Sequence, residues 1–173
     1  MIIFFRWGSQ PRSYFMPFDT QEFRHAMSQF ATGVVVVSAQ VNDELVGFAA
    51  QSFVSLSLVP PLVAVCPQKA STSWPRIRDV RRFSINVLAE AHSAISDAFA
   101  IPGNTPEVGW KLSCIGQPIL EGSLMHIDCE LAVEHEAGDH TIAVAEVLDL
   151  DVHSTDASPL LYFRAGYGSF RHG

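Results

Sequence analysis

An all-β fold with a few short helices, closing as an antiparallel barrel, is the class that this sequence predicts. Three observations lead there. About six apolar or alternating runs of strand length recur along the chain. Short polar turns join most of them, and helical patterns are few and brief. Hydrophobic residues make up 48% of the 173 residues and charged ones only 17%, below the ~25% usual for soluble proteins. That apolar content offsets the ordering entropy of a single domain and points to apolar surface buried against a partner subunit.

The elements follow in order. Asp19 with Glu22 three residues later forms a capping-box pattern. Phe23, Ala26, Met27, Phe30 and Ala31 then recur at helical spacing, which predicts about three turns ended by Gly33. Residues 34–37 are a β-branched run, bounded by the polar turn Asn42-Asp43, and 46–53 form a second strand. Pro60-Pro61 blocks a helix, and 62–66 read as a third strand. Pro75 opens a short helix after Ser71, Thr72, Ser73 and Trp74. Residues 83–88 are strand, 90–100 a second short helix, and 102–109 a loop rich in Pro and Gly. Residues 127–134 and 141–149 are strands meeting at Ala137-Gly138-Asp139, a hairpin turn, and 160–163 are a last strand.

Residues 1–15 stand apart. Arg6 interrupts the apolar start too early for a secretory segment, and no run approaches the ~20 apolar residues of a membrane span. We expect a flexible arm or an upstream-start artefact over 1–15 and one domain over 16–173. A net charge of −7 argues against nucleic-acid binding. Cys66, Cys114 and Cys129 are too scattered for a disulfide framework or a CxxC metal site. Their apolar surroundings predict reduced core thiols in a cytoplasmic protein.

Catalytic motifs are absent. His135-Glu136 and His140 are five apart rather than four, across a Gly-Asp turn, so they do not make a zinc-protease helix. There is no GxSxG, GxGxxG or GxxxxGK, and no obvious carboxylate pair. A bound cofactor would therefore carry any difficult step. Lys69, Ser71, Thr72 and Ser73 combine one cation and three hydroxyls just before a helix start, a combination that suits a phosphate. Such runs also simply cap helices and fill turns. Gln51, Ser52, Ser55 and Ser57 add polar groups to an apolar strand pair. His140 can bond a ligand phosphate or amide, or merely follow a turn. Trp74 and Phe83 can flank an aromatic ring or sit in the core.

Read together, FRHAMSQFATGVVVVSA, VGFAAQSFVSLSLVPPLVAVCPQKASTSW, RRFSINVL, EAGDHTIAVAEV and PLLYFRAGYG follow one family's order and spacing. Over about residues 18–168 the chain resembles the flavin reductase family with the FMN-binding split barrel. It is most similar to the small reductase components of two-component aromatic monooxygenases. The resemblance implies a six-stranded antiparallel Greek-key split barrel, a homodimer, and flavin near the subunit interface. It implies that Thr32, Gly33 and Val34 approach the flavin ring, with Gln51, Ser52, Phe53 and Ser55 as a contacting strand and turn. Gln51 stands where many relatives carry Asn. Lys69, Ser71, Thr72 and Ser73 match the phosphate-proximal segment, with Phe83 and Asn86 on the strand below. Gly138, Asp139 and His140 match a GDH motif whose His orients the nicotinamide nucleotide, and Tyr167 closes over the pocket.

The implied reaction is hydride transfer from NADH to FMN or FAD, with reduced flavin passing to a partner oxygenase. No residue selects between FMN and FAD, and no arginine cluster argues for NADPH. The resemblance implies neither a metal nor a membrane. Alternative readings are a split-barrel oxidase or reductase that holds its flavin tightly and a flavin-binding protein without turnover.

Overall fold

The computed structural model describes residues 17–104 and 106–171. The expectation for residues 1–15 lies outside the described residues. Twelve strands and three α-helices follow one another among the described residues. They are α1 (Thr20–Met27), β1 (Thr32–Gly33), β2 (Val35–Val41), β3 (Glu44–Ala50), β4 (Val54–Leu58), β5 (Pro61–Val65) and α2 (Trp74–Val80). After these come β6 (Arg82–Val87), a short 3-10 turn, α3 (Ser93–Ala100), β7 (Trp110–Leu112) and β8 (Pro118–Leu120). The chain ends with β9 (Met125–Ala137), β10 (His140–Val152), β11 (Leu160–Phe163) and β12 (Gly166–Ser169).

Seven strands form one antiparallel sheet in the order β3-β2-β6-β9-β10-β5-β4. Its inner face gathers Val35, Val37, Val63, Val65, Trp74, Phe83, Ile85, Ile127, Cys129, Ala143 and Ala145 into one core. A second cluster on the opposite face joins Val34, Val36 and Leu88 to Phe99 of α3, Leu120 of β8 and Leu160 of β11. The mostly-β class holds. The expected closure does not: among the described residues no ladder joins β3 to β4, which are the two edges of the sheet. These edges are consecutive in the chain and separated only by residues 51–53, so the seam opens where the backbone crosses from one edge to the other.

Turn chemistry sets the register. Asn42 and Asp43 both have positive φ, 50° and 64°, as a two-residue hairpin between Val41 and Glu44 requires. Gly138 has φ 69° at the first position of the turn joining Ala137 to His140.

The first helix is shorter than its apolar spacing predicts. Its capping box forms, with Asp19 accepting from the Gln21 and Glu22 amides at 2.7 and 2.8 Å. It ends at Met27 because tighter bonds take over, Gln29 N–H to Ala26 O and Phe30 N–H to Met27 O. The turn after β11 then holds residues 28 and 29, through Arg164 N–H to Ser28 O and Arg164 Nε to Gln29 Oε1. Thr32–Gly33 starts a strand instead of a helix stop. The strand expected over 46–53 ends at Ala50, residues 51–53 leave the ladder, and β4 (Val54–Leu58) begins beyond the expected range. The cysteines also depart from expectation. Cys129 is buried, Cys66 half-buried and Cys114 exposed, its thiol donating to Asp149 Oδ2 at 3.0 Å.

Candidate active site

A cleft of about 650 Å³ opens beside the end of β3, between α3 and the loop leading into α2. Its floor is apolar, with Val34, Phe48, Ala49 and Ala50 reaching it from the strands. Gln51 and Ser52 follow at the seam. The Ser52 hydroxyl is pinned by accepting from the Cys66 amide at 2.9 Å, which ties the β3–β4 crossing to the end of β5.

Ser71, Thr72 and Ser73 line one end of the cleft. Ser71 Oγ accepts from the Trp74 amide at 3.1 Å, whereas Ser73, the residue before α2, makes no side-chain cap. Lys69 lies between the lining residues Gln68 and Ala70 without lining the cleft itself, and is paired with Glu136. The loop that carries it runs along the β9–β10 turn. Lys69 N–H donates to Asp139 O at 2.9 Å, Thr141 N–H donates to Pro67 O at 3.0 Å, and Gln68 bridges to His140. The hairpin therefore delivers His140 to the same cleft as the hydroxyls. The His140 Nδ1 bonds Asp139 Oδ1 at 2.8 Å, and this contact holds the Asp139 carboxyl below its usual range.

Apart from Tyr167, the opposite wall was not legible as a site. Ser96, Asp97, Phe99, Ala100 and Ile101 of α3 and its end, with Tyr162 and Tyr167, complete the lining. Tyr167 Oη donates to Asp97 Oδ1 at 2.7 Å and meets Ser96 Oγ at 3.0 Å. Burial pushes the Tyr167 phenol above its ordinary value. The Tyr162 and Tyr167 rings meet edge-on at 5.3 Å. Helix periodicity hides Asp97, since nothing in a short amphipathic run marks one acidic residue as facing a cleft.

Of the residues predicted for the site, Val34, Gln51, Ser52, Ser71, Thr72, Ser73, His140 and Tyr167 share this cleft. Thr32 adjoins it by donating to Gln51 Oε1 at 3.2 Å, and Gly33 lies on β1 paired with Leu161. Lys69, Gly138 and Asp139 flank it through the hairpin contacts. Phe53 packs against the inner core and Ser55 is exposed on β4. Phe83 and Asn86 are fully buried elsewhere. Phe83 packs edge-on to Trp74 at 5.8 Å. Asn86 donates to Val36 O and Ser38 Oγ and accepts from the Leu120 amide, fastening β8 to the sheet.

The family model described as flavin reductase like domain matches residues 27–171. The reductase subunit of a flavin-dependent monooxygenase of Mycobacterium tuberculosis is 42% identical over 152 residues, covering 86% of this chain and 81% of that one. The crystal structure of nitrilotriacetate monooxygenase component B from Mycobacterium thermoresistibile superposes with a TM-score of 0.82 at 38% identity, over 87% of this chain and 86% of that one. An NADH:FAD oxidoreductase of Streptomyces globisporus, in complex with NAD and FAD fragments, superposes with a TM-score of 0.82. It is 29% identical, over 88% of this chain and 93% of that one.

Proposed function

Because the chain belongs to the flavin reductase-like domain family, we propose that it is an NAD(P)H:flavin oxidoreductase. It takes hydride from NADH and delivers reduced FMN or FAD to a separate monooxygenase component, as the names of its relatives indicate for them. The observation that carries this reading is the single cleft in which an apolar floor, three consecutive hydroxyl residues and His140 converge. Its volume of about 650 Å³ falls within the ~300–1,000 Å³ of small-molecule and cofactor sites.

The residues present fit a flavin mononucleotide moiety. Val34, Ala49 and Ala50 offer apolar contact to a flat ring, and Gln51 and Ser52 offer polar contact at its edge. Ser71, Thr72 and Ser73 receive the phosphate. Lys69 neutralises it after exchanging its Glu136 partner. A bound flavin supplies the hydride acceptor, so the chain needs no nucleophile. What the chain supplies is placement. His140, with Nδ1 held by Asp139, presents Nε2 to orient the nicotinamide end of the donor. Tyr167, anchored on Asp97 and Ser96, walls the far side with Tyr162 and keeps water from the reacting faces.

A homodimer completes this reading. Helix α1 buries none of its residues, and Phe23, Met27 and Phe30 on or beside it are exposed, as are Val54, Leu56 and Leu58 of β4. So much unpartnered apolar surface supports a second copy. Among the described residues no helix is long and apolar enough to cross a membrane. Use of NADH, an intracellular reductant, supports a cytoplasmic setting.

The test follows NADH absorbance with purified protein and added FMN or FAD. Flavin-dependent NADH loss is expected, and the faster flavin is the preferred one. No loss with either flavin, using NADH or NADPH, overturns the reading.

A further inference from the structure

Asp128 is an acidic residue with no solvent exposure in the middle of a sheet. Ser84 donates to its Oδ1, and its Oδ2 has no hydrogen-bond partner. Among the described residues no ion pair reaches it either. A buried carboxylate oxygen left in this condition is costly, and a native structure that keeps one has a reason for it.

The register shows which groups share a face of the sheet with Asp128. Ser38, Ser84, Asp128 and Asp149 are successive cross-strand partners on β2, β6, β9 and β10, and so share one face of the sheet. Asp149 reaches that row only because β10 bulges between Val147 and Asp149. Val147 pairs with Cys129, and the extra residue Leu148 lets Asp149, not Leu148, stand opposite Asp128. Bulges re-aim side chains in this way next to sites. Two carboxylates directly opposite each other repel, so the arrangement is unfavourable by itself.

A third group arrives from above. Between β7 and β8 the chain turns tightly, with Ser113 N–H donating to Gln117 O at 2.8 Å and Gly116 at φ 78°. That turn places Cys114, whose thiol contacts Asp149 Oδ2. One ligand atom each from Cys114, Asp128 and Asp149 lies within 4.8 Å of the others. None of the three lines the flavin cleft.

We propose that Cys114, Asp128 and Asp149 form a binding site for a divalent transition-metal cation of the zinc type. Thiolate together with carboxylate is a mixed donor set that zinc or cobalt accepts and that magnesium or calcium does not favour. Three protein ligands leave a position for water. The cation supplies the missing partner of Asp128 and removes the repulsion between the two carboxylates. The bond from sulfur to metal replaces the S–H bond, so one proton is released for each cation bound.

The probe is Co²⁺, followed by Zn²⁺, added to tag-free protein after treatment with a chelator. One Co²⁺ per chain is expected, with a thiolate-to-cobalt charge-transfer band that Zn²⁺ bleaches. Cys114→Ser abolishes the band, and Cys114→Ser and Asp149→Asn each weaken Zn²⁺ binding at least about tenfold. Zn²⁺ also raises the melting temperature of the unaltered chain but not of Cys114→Ser. Absence of stoichiometric uptake by the folded chain overturns the site, as does uptake that survives both substitutions. Flavin-dependent NADH oxidation by Cys114→Ser stays at the unaltered rate, so failure of this site and failure of the reductase reading are separate results.

Discussion

At the scale of single residues, His140 carries the clearest expectation. It is held by Asp139 at the mouth of a two-residue turn and shares the cleft with Ser71, Thr72 and Ser73. His140→Ala should lower kcat/KM for NADH about tenfold or more, mainly through KM, because the role proposed for it is to orient the donor without making a bond in the reaction. Steady-state kinetics at saturating flavin measures this, and an unchanged kcat/KM would remove His140 from the mechanism. Two other histidines govern pH dependence. His92 is buried and its Nδ1 accepts from the Ala89 amide, while His153 Nε2 contacts His126 Nδ1 at 2.8 Å. Burial lowers both below the ordinary histidine value. The unfolded chain then binds more protons than the folded one below about pH 6.5. Their contribution is therefore fully present above that value and lost as pH falls through it. Urea midpoints should drop from pH 7.5 to 5.5 in the unaltered chain, and drop less in His153→Gln.

At the scale of elements, the decisive contacts join pieces far apart in the chain. Gly47 on β3 faces α3 so closely that a Cβ there would stand 2.9 Å from Phe99 Cε1 and 2.9 Å from Val37 O. Gly47→Ala should cost about 1–3 kcal/mol, since one obstacle is rigid backbone and the other an aromatic in a packed cluster. Chemical denaturation reads the loss. The same substitution should weaken flavin binding by shifting the α3 wall that carries Asp97, and a variant with unaltered stability would refute the close packing.

The hairpins show what was legible at this scale and what was not. Asn42-Asp43 and Gly138-Asp139 announce their turns in one dipeptide each, because positive φ is a local demand. The strands β1, β4, β7, β8 and β12 escaped notice, and shortness alone does not account for it, since the four-residue β11 was legible. The bulge that pairs Asp149 with Asp128 escaped as well. No spacing in the sequence reveals that two carboxylates twenty-one positions apart face each other when an extra residue alters the register.

At the scale of the whole molecule, the proposed homodimer rests on large apolar side chains that the single chain leaves exposed. Phe30 is 77% exposed, Leu58 86% and Val59 91%. Light scattering should return twice the mass of a single chain at micromolar concentration, and Leu58→Lys should shift the balance toward the monomer. A monomer before substitution would contradict the assembly proposed for these faces.

Period-two alternation, turn dipeptides and the apolar excess determined, without any coordinates, that this is a mostly-β domain. The block order added which family it resembles. Residue type alone left the hydroxyl segment 71–73 and His140 open to a cap or a turn, and only the resemblance singled them out for the cleft that they share. Tertiary structure alone decided that Asp97 and Tyr167 join in one wall of the cleft, that Phe83 and Asn86 belong to the core, and that β3 and β4 leave a seam. Residue type and spacing set what each segment prefers, and the preference is local. Which distant side chains meet depends on register, bulges and helix packing, and those are settled only when all segments compete for the same interior.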